Sequence, residues 1–284
     1  MTADTASKIT ESRHRIERVR HDIKRRVLTV RRVARLTPQM LRITLTGSDL
    51  HDFVSLGHDD HVKILVPRPG EEPVFPDMSP GGRLLIDPAN RPALRDYTPR
   101  RFDPVTGELD LDFALHEAGP ATEWALRAQP GDKLGVGGPR GSFVVATDFD
   151  WYLLAGDETA LPAIGRRLEE LPASARALVV AEVAGPKEEQ ALESKAELTT
   201  LWLHRGLAPA GTTDQLDPAL RGLTLPTGDG YVWIACETLV AKRLRAVMSM
   251  SASIRKPGSR RPATGSAARP TSTKRTATES PPRG

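Results

Sequence analysis

Apolar positions follow two different rhythms along this chain, and the change near residue 148 divides it. Before that point, short runs enriched in β-branched residues alternate partly with polar ones: 27–30 and 41–45 around a Thr37-Pro38 turn, then 61–66, 96–98, 109–115, 133–136 and 143–145. Turn-forming stretches separate them, the longest being the Pro/Gly-rich segment 67–82. Short strands with turn signals about every ten residues predict an antiparallel barrel or sandwich. Beyond residue 148 the apolar runs become continuous, at 151–156, 177–183, 201–204 and 231–235, with helices predicted over 160–171 and 238–247. Buried strands alternating with helices predict a mostly parallel sheet covered on both faces. The expected fold is an all-β antiparallel Greek-key barrel followed by an α/β domain. Its expected parts are a flexible leader 1–22, the barrel 23–147, the α/β domain 148–247 and a tail 248–284.

The 284 residues fit two modest domains, and 39% hydrophobic content is enough to build their cores. No run approaches the ~20 apolar residues that cross a bilayer, and residues 1–12 lack the apolar stretch of a secretory signal. A cytoplasmic monomer is expected. The basic pI of about 9.4 invites a nucleic-acid reading until the charge is located. Residues 248–284 hold eight Lys/Arg against one Glu, leaving 32 basic and 35 acidic residues elsewhere. The basicity belongs to the tail, and no specific nucleic acid is expected as a partner. With no aromatic and almost no aliphatic residue, the tail cannot bury enough surface to offset its ordering entropy, so disorder is predicted.

One stretch carries chemistry. In Arg95-Asp96-Tyr97-Thr98-Pro99-Arg100, strand alternation puts Arg95 and Tyr97 on one face. A guanidinium and a phenol so placed can reach phosphate and pack on a flat ring system, although an ordinary strand has the same pattern. The context is more telling. A strand ends in Asp112-Phe113-Ala114-Leu115-His116, and Gly119-Pro120-Ala121-Thr122-Glu123-Trp124-Ala125 turns into a helix whose first N–H groups suit a pyrophosphate.

Taken in order, Arg-x-Tyr-Thr-x-Arg, Asp-Phe-x-Leu-His, Gly-Pro-Ala-x-x-Trp-Ala, Pro-Gly-Asp, Gly-Pro-Arg-Gly-Ser and Leu-Ala-Gly-Asp-Glu-Thr-Ala-Leu-Pro-Ala-Ile closely resemble the siderophore-interacting proteins, over residues 27–247. Those are flavin-dependent ferric-siderophore reductases with a ferredoxin-reductase-like barrel and a nicotinamide-nucleotide domain. The resemblance implies FAD as cofactor, NADH or NADPH (or ferredoxin) as electron source, and a ferric siderophore as partner. It implies that Arg95, Asp96, Tyr97 and Thr98, then Asp112, Phe113, Ala114, Leu115 and His116, and Thr122, Glu123, Trp124 and Ala125 surround the FAD. Gly156, Asp157, Glu158, Thr159 and Ala160 would lie on the flavin and nicotinamide side, although this turn lacks the Gly-x-Gly-x-x-Gly fingerprint. A nicotinamide gives two electrons as hydride and ferric iron accepts one. The flavin mediates both, so no protein nucleophile or base is required. Lys63 and Arg205 are candidates for a basic substrate pocket, since many ferric chelates are anionic; each also fits an ordinary surface or ion-pair residue. A flavin-containing chelate binder without turnover, and a nucleic-acid role for the tail, are the rival readings.

Two further features stand apart. His58-Asp59-Asp60-His61 contains metal-ligand residue types at a poor spacing, and no metal site is expected there. Cys236 takes the place of Gly in a turn resembling the family's Trp-x-Ala-Gly-Glu, and fits a small buried residue. The family's Gly-Tyr-Trp-x-x-Gly motif near the C-terminus is missing. Codons compatible with residues 262–268, read one base earlier, encode Gly-Tyr-Trp-Leu-Arg-Gly. The tail is therefore either a frameshift product, with activity impaired, or a genuine basic tail.

Overall fold

The computed structural model describes residues 14–77, 79, 85, 93–115, 119–236, 241 and 244. The first nine strands are β1 (Ile16–Arg20), β2 (Arg25–Thr37), β3 (Met40–Thr46), β4 (Val62–Val66), β5 (Ala93–Tyr97), β6 (Pro99–Asp103), β7 (Glu108–Ala114), β8 (Lys133–Gly137) and β9 (Gly141–Val145). Helix α1 (Pro120–Arg127) lies between β7 and β8. Seven of these strands form one antiparallel sheet in the order β5-β4-β8-β2-β3-β7-β6. The edge strands β5 and β6 are joined by Thr98 alone, so the chain steps from one edge of the sheet to the other. That step requires the sheet to curl into a barrel with its seam at Thr98. Register shifts in β2 between Val30 and Arg32, and between Arg35 and Thr37, are bulges of the kind that bend a strand around such a curve. Leu28, Ile43, Ile64, Leu111, Phe113 and Val136 point inward and are fully buried.

Strand β6 goes beyond the predicted elements. It begins with a proline, which an edge strand tolerates because the missing N–H faces no ladder partner. Within the leader expected over 1–22, Ile16–Arg20 pairs antiparallel with β9. Just before it, the His14 ring stacks on Phe149 at 4.4 Å and lies within 3.2 Å of Asp148 and 2.9 Å of Asp229. A short, charge-rich edge strand leaves almost no hydrophobic signal in sequence.

The second sheet is wholly parallel, built from β10 (Trp151–Asp157), β11 (Arg176–Val183), β12 (Glu197–His204) and β13 (Gly230–Ala235) in the order β12-β11-β10-β13. Helices α2 (Leu161–Glu170) and α3 (Leu216–Arg221) accompany it. Every residue of β10 is buried, with Tyr152 and Leu154 in one core and Trp151, Leu153 and Ala155 in the other. A Cβ on Gly156 would collide with the Ala235 carbonyl and with the Ala160 Cβ, so only glycine fits where β10 turns toward α2. Of the helix predicted over 238–247, only Ala241 and Leu244 fall among the described residues; both are helical and buried. The tail and its frameshift reading lie outside the described residues.

Polar contacts among the described residues tie the two sheets together. Arg166 on α2 donates to the Ser55 Oγ and carbonyl, each at 2.7 Å, and to the Pro99 carbonyl at 3.1 Å. Arg100 forms a two-pronged ion pair with Glu169. Glu188, in the turn after β11, accepts from the β2–β3 hairpin.

Candidate functional site

Strand β10 pairs with β11 on one side and β13 on the other, so the strand order reverses at its C-terminal end. Ligands of open parallel sheets bind outside the strand ends at such a switch point. The turn there, Glu158-Thr159, faces the barrel seam at Tyr97-Thr98 across a cleft of about 490 Å³. Two independent features of the fold, a seam and a switch point, thus open onto the same space.

The barrel wall of the cleft comes from Arg95, Asp96, Tyr97 and Thr98, with Asp112 and Ala114 at the end of β7. Tyr97 stacks obliquely on Phe113 at 4.3 Å, and burial pushes its phenol up to about 12, so the hydroxyl stays neutral. Arg95 is exposed at the rim and donates to the Leu94 carbonyl. Gly119, Ala121 and Thr122 bring in the first turn of α1, which no side chain among the described residues caps. The opposite wall is Glu158, Thr159 and Pro162. A larger hollow of about 720 Å³ adjoins this helix, between the end of β4 with the segment after it and Glu123 and Arg127.

Other residues expected around the cofactor lie elsewhere. Phe113, Trp124 and Ala125 are buried in the barrel core, where Trp124 meets Phe113 at 5.8 Å. Leu115 packs against the same core, Glu123 faces the larger hollow, and His116 lies outside the described residues. On α1, Trp124 lies about 200° around the axis from Thr122, so with Thr122 at the cleft the indole faces the barrel core. Gly156 and Ala160 serve the packing between β10 and α2 described above. Asp157 is buried, accepts from the Thr159 N–H and hydroxyl, and has its carboxyl pushed up by burial. Met40 and Arg42 join the site unforeseen. Met40 pairs with Ala114 in register, and Arg42 pairs with Asp112, donating to its carboxylate at 2.7 and 2.8 Å. Only the strand register could have revealed them.

The substrate candidates separate. Lys63 is exposed and donates to Asp96 at 2.8 Å, in a cross-strand row that continues through Gly137 to Arg25. Arg205 is held in a bidentate ion pair with Glu158 at 2.7 and 2.5 Å, with its side chain only 5% exposed. The His58 to His61 segment is occupied in packing. Asp60 accepts from Ser55, Gly57 and Ser142, while the His58 ring lies edge-on to Trp233 at 5.3 Å.

The residues around the cleft suit FAD: an aromatic wall, an arginine at the rim, and an uncapped helix start whose N–H groups can meet phosphate. A curled antiparallel sheet whose seam opens onto the ends of a parallel sheet defines the ferredoxin-reductase-like fold. A model of the siderophore-interacting FAD-binding domain matches residues 29–143, and one of the siderophore-interacting protein matches residues 149–258. The chain belongs to the siderophore-interacting protein family. It is 38% identical over 231 residues to an NADPH-dependent ferric-chelate reductase of Escherichia coli, covering 80% of this chain and 88% of that one. A siderophore utilization protein from T. fusca shares 41% identity and a TM-score of 0.78 over 85% of this chain and 92% of its own. Phthalate dioxygenase reductase, at 12% identity and a TM-score of 0.52 over 81% and 66%, shares the fold.

Proposed function

We propose that the chain is an NAD(P)H-dependent, FAD-containing ferric-siderophore reductase that releases iron as Fe(II). The observation that carries this reading is the shared cleft, where Tyr97-Thr98 at the barrel seam meets Glu158-Thr159 at the switch point. Bound flavin would supply the chemistry iron reduction needs, taking electrons in a pair and passing them on singly. The chain's own residues bind and orient. Arg95 and the first N–H groups of α1 neutralise the pyrophosphate, and Tyr97 offers a neutral ring to the flat cofactor. A nicotinamide would approach at the C-terminal end of β10, beside Glu158 and Thr159. An anionic chelate meets Lys63, exposed beside Asp96.

The name of the E. coli relative, an NADPH-dependent ferric-chelate reductase, supports the reading. The test is a steady-state assay with a ferric chelate, NADPH or NADH, and a dye that traps Fe(II). Nucleotide-dependent dye colour that requires FAD is the expected result. Flavin-containing protein that binds the chelate yet yields no Fe(II) with either nucleotide or with reduced ferredoxin would replace the reductase with a chelate binder.

A further inference from the structure

Three carboxylates line the cleft, and each has its own cation. Asp96 pairs with Lys63, both about half exposed. Asp112, itself only 2% exposed, pairs with Arg42, whose side chain is 27% exposed and so open to water. Glu158 pairs with Arg205, and here the side chains are only 10% and 5% exposed. Charges screened by water act weakly at a distance, whereas a buried pair acts through a low effective dielectric. Glu158 also stands on the nucleotide-side wall, opposite Tyr97 and Thr98. The ends of the pair come from different strands, since Glu158 follows β10 and Arg205 follows β12, and Arg205 is further fixed by donating to the Ala208 carbonyl at 3.2 Å.

We propose that the Glu158–Arg205 pair sets the reduction potential of the bound flavin, with Arg205 positioning Glu158 and cancelling its charge. The proposal rests on the reading that the cleft holds FAD. Adding electrons to a cofactor beside a bare carboxylate is unfavourable, and beside a bare guanidinium it is favourable. Removing either partner exposes the field of the other, so the two single variants push in opposite directions. A pair that served only to hold the fold would move both variants the same way or neither.

The experiment is a potentiometric titration of the FAD-loaded protein. Glu158→Gln, which leaves Arg205 uncompensated, raises the midpoint potential. Arg205→Gln, which leaves Glu158 uncompensated, lowers it. The double variant returns close to the parent. Each single shift is expected to be about tenfold in the equilibrium between reduced and oxidised flavin, or ~30 mV for a two-electron couple. Because stripping one member of a buried pair destabilises the fold, Arg205→Lys provides a folded comparison that keeps the charge and the parent potential, while Glu158→Gln must still raise it. Shifts of the same sign, or unmoved potentials in variants that retain FAD, overturn the proposal. A parent protein that binds no FAD overturns instead the assignment of the cleft.

Discussion

Thr37 donates its hydroxyl to Glu188 at 2.6 Å, and the Gln39 N–H reaches the same carboxylate oxygen at 3.0 Å. These bonds tie the tip of the β2–β3 hairpin to the 3-10 turn Pro186–Glu188 after β11, bridging the two sheets beside the cleft. Glu188→Ala would leave two donors without their charged acceptor, at about 2 kcal/mol. Such a loss lowers the melting temperature by roughly 4–8 °C in a chain of this size. Thermal melts of the variant and of Thr37→Val test this, with the valine expected to show the smaller drop. Equal stability of Glu188→Ala and the parent would show that the bridge contributes nothing.

Arg95 stands exposed at the cleft rim and makes no ion pair among the described residues. Arg95→Ala is therefore expected to leave the fold unchanged and to weaken FAD binding by about 1.5 kcal/mol, roughly tenfold in Kd. Quenching of flavin fluorescence on titration into apoprotein measures this directly. An unchanged Kd would remove Arg95 from the pyrophosphate.

Gly156 has no room for a side chain, because the Ala235 carbonyl occupies the place a methyl group would take. Gly156→Ala must push β10 from β13 at the centre of the parallel sheet, an overpacking change of about 3 kcal/mol. Loss of soluble yield, or a clearly lower urea midpoint, is the expected outcome, whereas a variant as stable as the parent would contradict the packing described.

His58 is buried against α2 and β13, facing Arg166 and Arg167 from α2 and the rings of Tyr231 and Trp233 from β13. Neither ring nitrogen has a hydrogen-bond partner among the described residues, although the Ala163 backbone lies close enough to favour the protonated ring. Burial, with Arg167 and Arg166 adding to it, lowers the ring from 6.5 to about 3. Unfolded chain takes up the proton below about 6.5 and the native chain only near 3. Its contribution is thus fully present above that window and is lost as the pH falls through it. Urea denaturation should show stability at pH 5 lower by about 2 kcal/mol than at pH 7.5 from this group alone. In His58→Phe that component of the pH dependence should vanish.

Much of the architecture is legible in the chain because buried strands need apolar runs. β10 and β13 stand out as Trp-Tyr-Leu-Leu-Ala and Tyr-Val-Trp-Ile-Ala for that reason. Edge strands lack this constraint. β1 carries Glu17, Arg18 and Arg20 in five residues, and β6 opens on Pro99, so neither resembles a strand until its partner is seen. Within the site, residues adjacent in sequence are the readable part, from Arg95 to Thr98 and from Glu158 to Thr159. The motif that contains Trp124 points it toward the cofactor, whereas helix geometry turns it onto Phe113. The Glu158–Arg205 pair is invisible in the sequence, since only the parallel order β12-β11-β10 brings two residues 47 positions apart together.

In the proposed function, one cleft takes electrons from a nicotinamide and hands them to ferric iron. The most direct measurement is an anaerobic absorbance titration of the FAD-loaded protein with NADH and NADPH, followed by a ferric chelate. Bleaching of the flavin band by at least one nucleotide, and its return as the ferric chelate is reduced, is the predicted result. A flavin band that neither nucleotide bleaches, or that stays bleached when the chelate is added, would contradict the account.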